Sequence, residues 1–310
     1  MELARIEQLP SGKIRGEIWD LILAVSGYEA RANYLVSKWS PQGKRKVVLA
    51  YKEKRDHLHR RENDRFYAEA GYEAVSVSEF SSSGITALLQ NLFTTTQSIR
   101  KILVDYSCMQ KEWYATILQF FMSLEGRQSG LEVWFSYTPS EFLSPVRNKM
   151  RLFHRRKPRF SIPPGDKPGA LILGLDFEES LIRDIYKRAG DYETWLCYAD
   201  PAFDPRFVAR LEEMYADLIS LFPENRILRY PLQDLRKTSR LLTSLALDLR
   251  LQHKVILAPF GPKPFILTSL MLGARYPDIT VWYPKENSRQ MYDWMPLRDP
   301  QICRVTFVRD

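Results

Sequence analysis

Short apolar runs recur along the chain, separated by stretches with helical spacing. In the first half the runs are Leu21–Ser26, Lys46–Tyr51, Ala74–Ser78, Ile102–Asp105 and Leu131–Tyr137. In the second half they are Ala170–Gly174, Thr194–Tyr198, Arg226–Tyr230, Lys254–Pro259 and Ile279–Tyr283. Most are continuous rather than alternating, the pattern of parallel strands buried on both faces. The intervening stretches, such as Gly84–Thr95 and Lys237–Leu249, are long enough for crossover helices. Strands alternating with helices predict right-handed βαβ units and an α/β fold with parallel sheets.

The two halves also match in places. Leu21-Ile-Leu-Ala-Val-Ser resembles Leu171-Ile-Leu-Gly-Leu-Asp, and Lys101-Ile-Leu-Val-Asp105 resembles Lys254-Val-Ile-Leu-Ala258. Val133-Trp134 resembles Val281-Trp282. The same order of elements in both halves predicts two tandem Rossmann-like units made by internal duplication. The expected boundaries are a first unit over 1–150, a basic proline-rich linker over 151–168, and a second unit over 169–310. Residues 1–17 and 288–310 fall outside the repeat, with Cys303–Val308 a candidate edge strand.

Composition narrows the class. The chain has 310 residues, 45% hydrophobic and 26% charged, enough to bury a core and too apolar for a disordered tail. The most apolar stretch, Val255–Leu272, is interrupted by Gly261, Pro262, Lys263 and Pro264, so no membrane span is expected. Glu2, Arg5 and Glu7 argue against a signal peptide. Cys108, Cys197 and Cys303, each beside apolar or aromatic residues, fit a reducing, cytoplasmic setting, and the lack of a C-x-x-C argues against a structural zinc site. His57 and His59 share a face only in extended chain, and their basic neighbours disfavour a metal. No cofactor motif is present: both Gly-x-Gly-x-x-Gly and the P-loop are missing.

The net charge of +8 is unevenly spread. More than half of it falls in Arg151–Phe160, which carries Arg151, Arg155, Arg156, Lys157 and Arg159. A second basic cluster runs from Lys44 to Arg61. Either stretch could follow a phosphate backbone, and 151–160 could equally be a solvated linker.

In open α/β sheets ligands bind beyond the carboxyl ends of the strands, where the strand order reverses. The relevant loops follow strands one and four of each unit. In the first unit they carry Tyr28, Glu29 and Arg31, then Asp105, Ser107 and Lys111. In the second they carry Asp176 and Glu178, then Gly261 and Lys263. Asp105-Tyr-Ser-Cys-Met-Gln-Lys111 combines a hydroxyl, backbone N–H groups and a lysine before a helix. That is an anion site, or alternatively a helix cap by Asp105 or Ser107. Gly261-Pro-Lys-Pro264 holds Lys263 in a stiff turn, as a ligand contact or simply as a helix start. Asp204-Pro-Arg206 should cap a helix and place Arg206 over the second mouth, with Asp64-Arg65-Phe66 as its first-unit counterpart. Glu29, Asp105 and Glu178 are the candidate acids or bases, although a first-turn glutamate also serves a helix dipole.

A Rossmann-like unit whose fourth strand ends in Asp-x-Ser and runs into a lysine at a helix start resembles the CRISPR-associated Rossmann fold sensor domains. Asp105, Ser107 and Lys111 are the matching positions, with Gly261 and Lys263 in the second unit. The resemblance implies binding of a cyclic oligonucleotide or another nucleotide-like small molecule, in a pocket composed by two copies of the domain. It also implies a sensor role in anti-phage defence, with an effector protein as partner. Two other functions remain open: a hydrolase or phosphodiesterase acting on a nucleotide, and a nucleic-acid-associated subunit docked through 44–61 and 151–160.

Overall fold

The computed structural model describes residues 2–78, 82–96, 98–124, 130–143, 167–283 and 293–308. The basic stretch Arg151–Phe160, the linker to 166 and His154 lie outside the described residues. The chain divides into two compact units: Met1–Glu141 with Ser288–Asp310, and Phe142–Asn287. Among the described residues no helix is long and apolar enough to cross a membrane.

The first unit contains β1 (Glu2–Leu9), β2 (Ile18–Ser26), α1 (Tyr34–Trp39), β3 (Gln42–Tyr51), α2 (Arg60–Glu69), β4 (Glu73–Val77) and α3 (Ser83–Thr95). It continues with β5 (Lys101–Asp105), α4 (Lys111–Ser123) and β6 (Leu131–Tyr137). The second unit contains β7 (Gly169–Gly174), α5 (Glu179–Ala189), β8 (Glu193–Ala199), α6 (Pro205–Met214), α7 (Ala216–Ile219) and β9 (Ile227–Tyr230). It ends with α8 (Leu235–Leu249), β10 (Lys254–Ala258), α9 (Lys263–Arg275) and β11 (Thr280–Val281). The last strand, β12 (Gln301–Val308), returns to the first unit.

All ten apolar runs are strands. The first sheet has the order β1-β12-β6-β5-β2-β3-β4 and the second β11-β10-β7-β8-β9. Strands β2 to β6 are parallel and so are β7 to β11. Numbered within each unit, both sets run three-two-one-four-five. The order therefore reverses between β2 and β5 in one unit, and between β7 and β10 in the other.

Two features differ from the sequence reading. Residues 2–9 form a strand, and β12 is no edge of the second sheet. It lies between β1 and β6, antiparallel to both, from Ile302 against Leu9 to Val308 against Glu2. The cause is tertiary: Ile302, Cys303, Val305 and Phe307 are buried in the first unit. Residues 288–310 thus join the first unit rather than extending the second, and the first unit's N-terminal segment runs to Glu141 rather than 150.

Helices cover both faces of each sheet because each offers one apolar stripe. On one face of the first sheet Ile22, Ala24, Val48, Leu103 and Trp134 meet Leu35 and Val36 of α1 and Tyr67 of α2. In the second unit Leu171, Leu173 and Leu196 pack on α5, α6 and α7, while Ile172, Val255 and Leu257 pack on α8 and α9. Asp204 and Asp234 cap α6 and α8 by accepting backbone N–H bonds from Arg206 and Lys237.

Candidate functional site

Strand β2 delivers Ser26 to the carboxyl edge of the first sheet, where Gly27, Tyr28 and Glu29 turn the chain. The side-chain amide of Asn63, on α2, fixes this loop by donating to the carbonyls of Gly27 (2.9 Å) and Glu29 (3.1 Å). Ser26 donates its hydroxyl to Asp64 at 2.5 Å, and Asp64 also accepts from Arg60 Nε at 2.9 Å. Arg60 is itself buried and donates to the carbonyl of Tyr51 at the end of β3 (2.8 Å).

Strand β5 delivers Asp105 beside Ser136 of β6. Asp105 Oδ1 accepts the backbone N–H of Ser107 (3.1 Å) and its hydroxyl (2.5 Å). The Ser107 hydroxyl in turn accepts the backbone N–H of Thr138 (2.8 Å). The Thr138 carbonyl accepts from Arg31 Nη1 (2.8 Å), and Arg31 Nε donates to Glu29 (2.7 Å). Glu29, Arg31, Asp105 and Ser107 therefore form one chain of hydrogen bonds through Thr138, spanning the loops after β2 and β5. All four are buried, at 8%, 4%, 2% and 1% exposure. Lys111 is buried too, as the first residue of α4. Tyr28 is buried, with the Lys54 ammonium 5.2 Å from its ring centre.

Burial works against the charge on Arg31. The adjacent Glu29 carboxylate, followed by Tyr137, more than offsets it, so the guanidinium is held charged. Its Cζ also lies 5.5 Å from the centre of the Tyr137 ring. Buried charge of this kind costs several kcal/mol unless it is paired. It concentrates where a fold has chemistry or recognition to perform.

Some expectations are corrected. Helix α4 begins at Lys111 with Gln110 as its cap residue and no side-chain cap bond, so neither Asp105 nor Ser107 caps it. They stabilise the preceding turn instead. Asp64 lies a full turn inside α2, whereas Asp204 caps α6, so the two are not counterparts. The 44–61 cluster does not make one stripe. Lys44, Arg45 and Lys46 sit at the amino end of β3, and Lys52 to Arg61 lie beyond its carboxyl end, roughly 20 Å away at ~3.3 Å per residue. Lys44 and Arg45 pair with Asp20 and Glu73, and Arg61 with Asp56.

The second unit is built differently at the same place. Asp176 accepts the N–H of Phe177 (2.7 Å), and its carbonyl accepts the Tyr215 hydroxyl (2.7 Å). Glu178 is the cap residue of α5 without a side-chain cap bond, and Glu179 pairs with Arg183 one turn on. Arg206 is exposed and pairs with its own cap residue, Asp204, at 2.6 Å. Gly261 has φ +124, which only glycine tolerates well, and its neighbours are the Leu175 carbonyl and the Tyr230 hydroxyl. Lys263 is the first helical residue of α9, half-buried, and Pro264 the second. Burial raises the Cys197 thiol well above its usual range and the Cys303 thiol to about 12, which disfavours the thiolate form of both.

Sequence reasoning missed Arg60, Asn63 and Thr138, which act on or through backbone carbonyls. It also missed Asp293 and Trp294. The Asp293 carboxylate accepts the N–H of Ala30 (2.9 Å), and the Trp294 carbonyl accepts the N–H of Arg31 (3.2 Å). A scan of protein-family models and a search of curated proteins find no match to this chain.

Proposed function

We propose that the chain binds a nucleotide or other phosphorylated small molecule at the carboxyl edge of its first sheet, and serves as a sensor or regulatory subunit. One observation carries this reading: a buried polar chain joins the loops after β2 and β5, where the strand order reverses. Lys111 supplies buried positive charge, the paired Arg31 and Glu29 fix the loop, and Ser107 and Thr138 supply hydrogen-bonding groups. Phosphate recognition uses this combination of cations and oriented donors. The second unit offers half-buried Lys263 but no comparable buried ion pair among its described residues. We read the common strand order of the two units as internal duplication, after which only the first kept a polar switch point. The resemblance to the CRISPR-associated sensor domains makes cyclic oligonucleotides the first ligands to try.

The test is calorimetric titration of mononucleotides, dinucleotides and cyclic oligonucleotides into wild type and Lys111→Met, which keeps the buried stem and removes the charge. At least one ligand should bind wild type and lose ~10-fold in affinity, about 1.4 kcal/mol, in the variant. Equal affinity in both proteins would contradict the proposal, as would no binding by wild type.

A further inference from the structure

His59 precedes α2, and its backbone N–H donates to the carbonyl of Tyr28 (3.1 Å). Its ring lies between two carboxylates: Nδ1 is 2.7 Å from Glu62 and Nε2 is 2.9 Å from Asp293. A neutral imidazole has one N–H to donate, whereas an imidazolium has two. Both contacts are donor bonds only when the ring is charged; otherwise one ring lone pair faces a carboxylate.

Asp293 lies in a strap, residues 293–297, laid along the first unit. Its far end is held by backbone bonds that do not titrate: Glu141 N–H to the Met295 carbonyl (3.0 Å) and Leu297 N–H to the Pro139 carbonyl (2.9 Å). Its near end meets the loop after β2 through the Asp293 carboxylate on Ala30 and the Trp294 carbonyl on Arg31. The same carboxylate is the group that His59 holds.

We propose that His59 and Asp293 form a proton-dependent clasp that fastens this strap onto the loop carrying Glu29 and Arg31, and so regulates access to them. The importance of that access rests on the ligand site proposed above, but the clasp itself can be read without a ligand. Among the described residues, Glu62 from α2 and Asp293 from the strap are the charged groups acting on the ring, and both favour its protonated form. Hydrogen bonds to Glu62 first, and then to Asp293, hold the closed-state ring above the ordinary histidine value. Closure is therefore fully supported below about pH 6.5, the value of an unpartnered ring. It weakens as pH rises through the higher closed-state value.

The experiment is amide hydrogen exchange at Ala30 and Arg31, followed by NMR in the full chain from about pH 5 to about pH 8 and corrected for intrinsic rates. The Leu23 amide, in the centre of β2, serves as the fold control. In wild type, protection at Ala30 and Arg31 should fall at least ~10-fold across the range while Leu23 holds. His59→Gln should remove the pH dependence and leave protection at the wild-type high-pH level. Asp293→Asn should be weakly protected throughout. Wild-type protection that does not change with pH, or that His59→Gln leaves as it was, overturns the clasp. Should either variant also lose Leu23 protection, the wild-type ring titration decides. A midpoint above 6.5 supports the clasp, and one at or below it overturns the clasp. Failure of nucleotide binding with the exchange result intact would remove the ligand reading and leave the clasp.

Discussion

Gly174, the last residue of β7, lies so close to Phe260 that a Cβ there would be 2.1 Å from the Phe260 carbonyl oxygen and 2.7 Å from its nitrogen. The loop after the fourth strand of the second unit thus closes directly over the end of the first. In the first unit a Cβ on Gly27, the residue just after β2, would meet a looser contact, 3.1 Å from the Cβ of Cys108. The first contact is with backbone and cannot yield without moving the loop. The second is with a small side chain.

Gly174→Ala should therefore destabilise the second unit by about 2–3 kcal/mol, the cost of forced overpacking. Gly27→Ala should cost less, about 1 kcal/mol or under. Urea denaturation of the full chain, monitored by far-ultraviolet circular dichroism, compares the two. Equal costs would mean that the Phe260 loop gives way more easily than its backbone contact implies.

The βα alternation was legible because the central parallel strands are runs of residues buried on both faces, whereas β4, β9 and β11 at the edges are only partly buried. Leu21–Val25 and Ile102–Val104 need no partner to be recognised. Strand β1 was not legible: Arg5, Glu7 and Gln8 interrupt its apolar residues, and it pairs with a strand at the far end of the chain. The place of β12 depends on the same long-range pairing, which one sequence does not display. The loops of the first-unit site were readable from the rule for open sheets, and Glu29, Arg31, Asp105 and Ser107 do meet. Thr138 and Asn63 were hidden because each connects through main-chain groups. No periodicity or motif marks a residue whose role is to receive or give a backbone hydrogen bond.

Glu29 is the counter-charge of a buried guanidinium before it is anything else. Glu29→Ala should cost about 3–5 kcal/mol, the usual effect of leaving one partner of a buried pair alone. Replacing both partners, Glu29→Met with Arg31→Met, should cost less than Glu29→Ala alone. Chemical denaturation of the three variants checks this. A mild effect of Glu29→Ala would mean that Arg31 finds another partner, and Glu29 would again be available as an acid or base.

Asp204 holds the start of α6 through the Arg206 N–H and pairs with the Arg206 side chain. Asp204→Ala should cost about 1–2 kcal/mol, and Asp204→Asn noticeably less because the cap bond survives. The hydrogen bond from Arg206 is the main cause that lowers the Asp204 carboxyl below its ordinary value. Its contribution is therefore complete above about pH 4 and lost as pH falls through the lower folded-state value. Thermal melts of wild type and Asp204→Asn should converge at acidic pH. A constant gap down to about pH 2 would show that the carboxylate charge contributes nothing.

The central claim is that ligand binds at the switch point of the first sheet. Amide chemical-shift mapping during titration with the best-binding nucleotide tests it most directly. The account predicts that the largest shifts fall on residues 27–31, 105–111 and 136–138. Shifts concentrated on 175–178 and 260–263, with the first-unit loops unmoved, would contradict it.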